Sequence, residues 1–123
     1  MAEHNIIGQK GEQIAVETMR KKGFRVVDTN WKFGHLEMDV IAVNRKEIAF
    51  VEVKTRTSSF GDKRPEEFVD ELKRRRMAAA ANAYIKIHQI ELVPRFDIIG
   101  ISMDPNTYEV KELTHLEDAF LPP

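Results

Sequence analysis

Two short apolar runs separated by a polar turn do most to narrow the folds open to this chain. Met38-Asp39-Val40-Ile41-Ala42-Val43 and Ile48-Ala49-Phe50-Val51-Glu52-Val53 flank Asn44-Arg45-Lys46-Glu47. Both runs are short and rich in β-branched and aromatic residues, which predicts a β-hairpin. Side chains alternate across a strand, so Glu52 and Lys54 share one face while Val51 and Val53 take the other. Pairing Val43 with Ile48 and continuing that register sets Asp39 opposite Glu52. Opposed residues stand about 4.5–5.5 Å apart at Cβ, where like charges are destabilising. Two carboxylates side by side on a half-buried sheet need a compensating charge, and a divalent cation is the most economical one.

The 123 residues fit a single domain spanning 1–123, long enough to bury a core without disulfides or structural metal. With no cysteine, disulfides, zinc–thiolate sites and thiol catalysis are excluded. No basic-then-apolar leader opens the chain, and no apolar run approaches the ~20 residues of a membrane span. The expected setting is therefore the cytoplasm, with no membrane partner. A formal net charge of −1 argues against coating nucleic acid through bulk charge. The charges are nonetheless patterned, with Arg20-Lys21-Lys22 closing a first helix and Lys73-Arg74-Arg75-Arg76 inside a second.

That first helix is expected from about Ile6 to Lys22, with Asn5 as N-cap and Gly23 as its stop. Gly8 and Gly11 are poor helix formers and suggest close approach of another backbone. Glu12 falls on the edge of the buried stripe, an odd place for a solitary carboxylate. A strand from Phe24 to about Asp28 follows, then the segment holding Trp31, Phe33 and Gly34, then the hairpin. After a polar loop from Thr57 to Asp62, Pro65 suits the first turn of the second helix, with Glu66 and Glu67 favourable to its dipole. Phe68, Val69, Leu72, Ala79, Ala80, Ala83, Tyr84 and Ile87 recur at helical spacing to about His88. Two last strands read as Arg95 to Ser102 and Tyr108 to Leu113. Strands with helices on either side indicate an α+β or α/β sandwich.

Metal-assisted phosphodiester hydrolysis needs hard oxygen ligands, an aligned water and positive charge for the developing anion. Asp39 and Glu52 supply two ligands, and the Val53 backbone carbonyl is a third candidate. Lys54 can orient water or neutralise charge. Glu12 can reach in from the helix as an outer ligand or base. Glu37, two residues from Asp39, either binds metal or flanks it.

An acid, a hairpin and then Glu-x-Lys, inside helix–three strands–helix–strand, resembles the restriction-endonuclease-like superfamily with its Asp…(Asp/Glu)-x-Lys motif. More narrowly the chain resembles the YraN-type family of small bacterial endonuclease-like proteins. The matching segments are Gly11-Glu12, Asn30, Gly34, Glu37-x-Asp39 and Phe50-Val51-Glu52-Val53-Lys54-Thr55-Arg56. Lys73 with Arg75-Arg76, the Ala79–Tyr84 helix, Arg95-Phe96-Asp97 and Ala119-Phe120 extend the match over nearly the whole chain. Glu12, Asp39, Glu52 and Lys54 together are also similar to the layout of archaeal Holliday-junction resolvases. Met38 stands where the superfamily often has proline. The resemblance implies an α/β restriction-endonuclease-like α-β-β-β-α-β(-β) sandwich, a mixed central sheet flanked by helices. It also implies a nuclease using Mg²⁺ or Mn²⁺ on DNA, with branched DNA and processed ends among its substrates. A homodimer is compatible with it.

Blander readings compete for the same residues. Asp39, Glu52 and Lys54 could form a surface ion-pair ladder, although Ile41, Val43, Ile48 and Phe50 share that face and cover it. Glu12 could pair with a neighbouring lysine. The Lys73–Arg76 run could be a solvated helix face, or Lys73, Arg75 and Arg76 could contact phosphate, as could Arg56. Arg95 is either a phosphate contact or an ion pair with Asp97 or Glu91. Trp31 and Phe33 read as core or rim, with base stacking the other option. No histidine has a partner at helical metal spacing, and His35 and His88 read as turn and surface residues. A non-catalytic nucleic-acid-binding or adaptor module on the same fold, and RNA in place of DNA, are the functional alternatives.

Overall fold

The hairpin forms in the expected register and becomes the middle of a five-stranded sheet. The computed structural model describes residues 3–61, 63, 67 and 69–121. Its elements are α1 (Glu3–Lys21), β1 (Arg25–Phe33), β2 (Leu36–Val43), β3 (Glu47–Arg56), α2 (Glu71–His88), β4 (Val93–Met103) and β5 (Val110–Leu116). The strands lie side by side in chain order. Three neighbouring pairs are antiparallel, and only β3 and β4, joined through α2, are parallel. This is the α/β sandwich with a mixed sheet that the resemblance implies.

Each face of the sheet carries one helix. Ile7, Ala15 and Met19 of α1 pack on Val40, Ala42, Ala49, Val51, Ile99 and Ile101. On the other face Met77, Ala80, Ala81 and Tyr84 of α2 cover Met38, Ile41, Ile48, Phe50 and Ile98. The Phe50 ring meets Tyr84 edge-on at 6.1 Å and Phe96 at 6.0 Å. Burying such a ring contributes roughly 1.5–3 kcal/mol through removal from water alone.

Several boundaries differ from the expectation. α1 begins at Glu3, so Asn5 lies inside the helix instead of capping it. Gly23 does end the helix region, at φ 91°, with its N–H donating to the Arg20 carbonyl at 3.0 Å. β1 continues through Phe33, because a two-residue turn, Gly34-His35, folds it directly onto β2. Gly34 has φ 61°, the left-handed backbone that such turns place at their first central residue. α2 starts at Glu71, where the Asp70 carboxylate accepts the Lys73 N–H at 2.8 Å. The expected start at Pro65, with Glu66, and the core candidate Phe68 lie outside the described residues. The buried stripe of α2 is also rotated from the expected one. Leu72 and Ile87 are 55% and 54% exposed, while Met77 and Ala81 face the sheet. Met77, Ala80, Ala81 and Tyr84 themselves follow helical spacing, and their small alanines let the helix lie close to the strands.

One irregularity positions everything that follows. Met38 belongs to the α2-side core and Val40 to the α1-side core, although residues two apart on a regular strand share a face. The alternation breaks at Asp39, and the neighbouring strand carries Asn30 at φ 50°. At the same level the β2–β3 ladder stops, its last pair being Val40↔Val51, while β2 stays paired to β1 as far as Leu36. β2 and β3 therefore splay apart beyond Val40.

Candidate metal and hydrolytic site

The splayed end of β2 and β3 leaves backbone groups to be satisfied by side chains, and Asp39 does so. Its Oδ2 accepts the Val53 N–H at 2.8 Å, bridging the gap that the ladder no longer spans. The Asp39 and Glu52 carboxyls stand close enough that each acts on the other's proton affinity. The ladder that begins at Val43↔Ile48 ends at Val40↔Val51, and Asp39 and Glu52 are the next residues on the two strands.

Their electrostatics are those of a crowded acid pair. Burial is the largest effect on Glu52, and the Asp39 charge adds to it. Against the opposing pull of Lys73, they push the Glu52 carboxyl up to about 7. Asp39 is also raised by burial, opposed by the Val53 N–H, the Glu52 carboxyl and Lys73. Like charges this close make ionising both acids costly. Glu52 Oε1 is buried, with no hydrogen-bond partner among the described residues. An orphaned carboxylate oxygen beside a second carboxylate is a donor set suited to a hard divalent cation.

Glu12 comes to the same place from α1. Its Oε1 accepts from Asn30 Nδ2 at 2.7 Å. Burial raises its proton affinity, Asn30 lowers it, and the nearby Asp39 and Glu37 charges raise it further, with a net upward shift. Glu12, Asp39, Val53, Lys54, Gly8 and Thr55 line one cavity of about 250 Å³. Gly11 is what lets the helix approach, since a Cβ there would collide with the Thr55 side chain. A Cβ at Gly8 would meet nothing within 4 Å among the described residues, so of the two glycines Gly11 shows the expected close approach, and against a side chain. Glu37 is exposed at the rim and acts on Glu12 and Asp39 through its charge.

The basic residues divide. Lys73 approaches Glu52 from α2, with Nζ 3.4 Å from Oε2. Arg56 borders an adjoining cavity of about 440 Å³ with Thr57 and Ser58, which shares Gly8 and Thr55 with the first. Arg75 pairs with Glu71 at 2.8 Å on an exposed helix face, and Arg76 is exposed beside it. Arg95 makes ion pairs: its side chain is 11% exposed and held by Asp97, Glu47 and Glu117. Trp31 stacks on Phe33 and meets Tyr84 edge-on, which makes it part of the α2-side core edge.

A second acidic group was not anticipated. Ligand atoms of Asp97, His115 and Glu117 lie within 4.8 Å of one another, close enough to hold a metal ion. Cations already occupy its surroundings, however. Arg95 reaches Asp97 at 2.9 Å and Glu117 at 3.2 Å, and Lys22 reaches Glu117 at 3.3 Å and His115 Nδ1 at 2.8 Å. His115 Nε2 lies 2.7 Å from Asp97, which also accepts the Asp118 N–H at 3.1 Å. With its charge balanced by arginine and lysine, this knot is better suited to tying β5 and the end of α1 to β4 than to taking up a metal. His115-x-Glu117 at the end of β5, with Asp97 on the next strand, was the signal available for it. Asn30, the partner that orients Glu12, was visible only as a residue shared with the family.

Comparison with known proteins finds one family. The family model described as uncharacterised protein family UPF0102 matches residues 11–101. A UPF0102 protein of Bacteroides thetaiotaomicron is 40% identical over 123 residues, covering 100% of this chain and 98% of its own length. One from Parabacteroides distasonis is 42% identical with the same coverage. A third, from Flavobacterium psychrophilum, is 40% identical over 121 residues, covering 98% of each chain. No helix among the described residues is long and apolar enough to cross a membrane.

Proposed function

The chain belongs to the YraN-type family UPF0102, and from that premise we propose that it is a metal-dependent nuclease hydrolysing phosphodiester bonds in DNA in the cytoplasm. The observation that carries the reading is the buried Glu52 carboxyl beside the Asp39 charge, with Glu52 Oε1 unpartnered among the described residues. Asp39 and Glu52 would hold a divalent cation, Mg²⁺ or Mn²⁺, with the Val53 carbonyl as a further ligand. When bound, such an ion polarises a phosphoryl oxygen and makes water more acidic.

The chain's own residues do the rest. Glu12, oriented by Asn30 and with its proton affinity raised, accepts the proton of the attacking water at Oε2 as the water oxygen bonds to phosphorus. Lys54 carries positive charge into the same cavity, where it stabilises the anionic phosphorane-like charge and holds the phosphate in line. The P–O bond on the far side then breaks, and solvent protonates the departing oxygen. Arg56, Arg75 and Arg76 contact flanking phosphates. Asn30 is a positioning residue that acts through Glu12.

Labelled linear and branched DNAs and RNAs, incubated with Mg²⁺ or Mn²⁺, provide the test. Cleavage of DNA by the wild type, lost in Asp39→Asn plus Glu52→Gln, is the expected result. Binding without cleavage under every metal condition would instead assign a non-catalytic module. Preferential cleavage of RNA would replace the substrate.

A further inference from the structure

Lys73 stands in the first turn of α2, where a cation opposes the helix dipole and weakens the helix end. Asp70 holds its backbone N–H at 2.8 Å, so the side chain leaves the helix from a fixed point. From there Nζ lies 3.4 Å from Glu52 Oε2, with the Glu52 side chain 14% exposed and the Lys73 side chain 39% exposed. The lysine is thus half in solvent while its partner is nearly out of it. Among the described residues it is the cation paired with Glu52, and it comes from the opposite face of the sheet to Glu12.

We infer that Lys73 is a tethered counter-ion for Glu52, which a divalent cation must displace from that carboxylate and which is then free to take a substrate phosphate. This rests on the metal-dependent reading above and adds to it a positioning residue that sets metal affinity. An ammonium and a divalent cation cannot share Glu52 without repulsion, so whatever draws Lys73 into solvent or onto phosphate favours metal. Nucleic acid and metal then strengthen each other's binding, since coupling between two ligands is reciprocal.

Calorimetric titration with Mn²⁺ alone, without nucleic acid, tests this. Lys73→Met removes the charge and keeps a good helix former, and Lys73→Gln serves as a second neutral variant should the first fold poorly. Both are expected to bind Mn²⁺ roughly three- to tenfold more tightly than wild type, within the range of a partly buried ion pair. Lys73→Arg should stay close to wild-type affinity. Unchanged or weaker binding in the neutral variants, while Asp39→Asn abolishes the wild-type signal, overturns the counter-ion role and leaves the metal site standing. No Mn²⁺ binding in wild type or variants overturns both.

Discussion

Glu52 and Asp97 sit on adjacent strands and are both acids removed from water, yet their surroundings move them in opposite directions. Asp97 is fully buried, which alone would raise its carboxyl; His115, the Asp118 N–H and Arg95 outweigh burial and hold it below the ordinary value. Its contribution to stability is present above its unfolded value and is lost as pH falls through the lowered folded one. Glu52, raised from 4.5 to about 7, behaves conversely: the folded protein binds its proton more tightly than the unfolded chain does. That contribution is full below about pH 4.5 and disappears as pH climbs to about 7. Metal-free protein should therefore lose stability in urea between those pH values, and Glu52→Gln should flatten that fall. A wild-type profile that rises over the same interval would refute the acid-pair geometry. Asp97→Ala leaves Arg95 buried without its main partner, and should cost about 3–5 kcal/mol in the same unfolding experiment. Lys54→Ala is expected to abolish turnover while Mn²⁺ affinity stays near wild type, because a protonated lysine does not coordinate a hard cation. Cleavage at the wild-type rate would remove Lys54 from the chemistry.

At the scale of elements, the splay between β2 and β3 creates the site, and α1 closes it through Gly11. Gly11→Ala should lower stability despite alanine's better helix propensity, since its Cβ would meet Thr55 Oγ1 and Cγ2. Thr55→Ala, which removes both atoms, should recover part of that loss, a coupling that a double-mutant cycle measures. Additive effects would mean that the helix accommodates the methyl by shifting. The same elements mark what the sequence could disclose. Hairpin register follows from a local turn and period-two patterning, so the pairing from Val43↔Ile48 to Val40↔Val51, which leaves Asp39 and Glu52 next on the two strands, was legible in the sequence. The break in alternation at Asp39 was not, because it depends on β2 choosing β1 over β3 beyond Val40. The buried stripe of α2 was misjudged because Leu72 and Ile87 fit a helical period as well as Met77 and Ala81 do. Packing against the sheet, a tertiary property, selects between such stripes. The Asp97 knot joins α1, β4 and β5, and only its β5 half has a local pattern.

Across the whole molecule, a net charge of −1 leaves no general attraction for a polyanion, so under the proposed function any nucleic-acid affinity comes from a few placed cations. Lys22 and Arg95 are committed to the buried knot, and Lys73 to Glu52. Arg56 borders the cavity that continues from the acid pair, and Arg75 and Arg76 lie on the outer turns of α2. Arg75 is held by Glu71, but with both side chains more than 60% exposed that pair is weak enough to exchange for phosphate. Each phosphate contact removed should reduce the slope of log affinity against log salt by about one. Arg75→Ala plus Arg76→Ala should then flatten the slope by about two for duplex DNA, measured in Ca²⁺ so that cleavage does not intervene, and Arg56→Ala by about one. If the α2 double variant keeps the wild-type slope while Arg56→Ala reduces it, the strand runs along the Thr57–Ser58 side of the cavity and leaves α2 untouched.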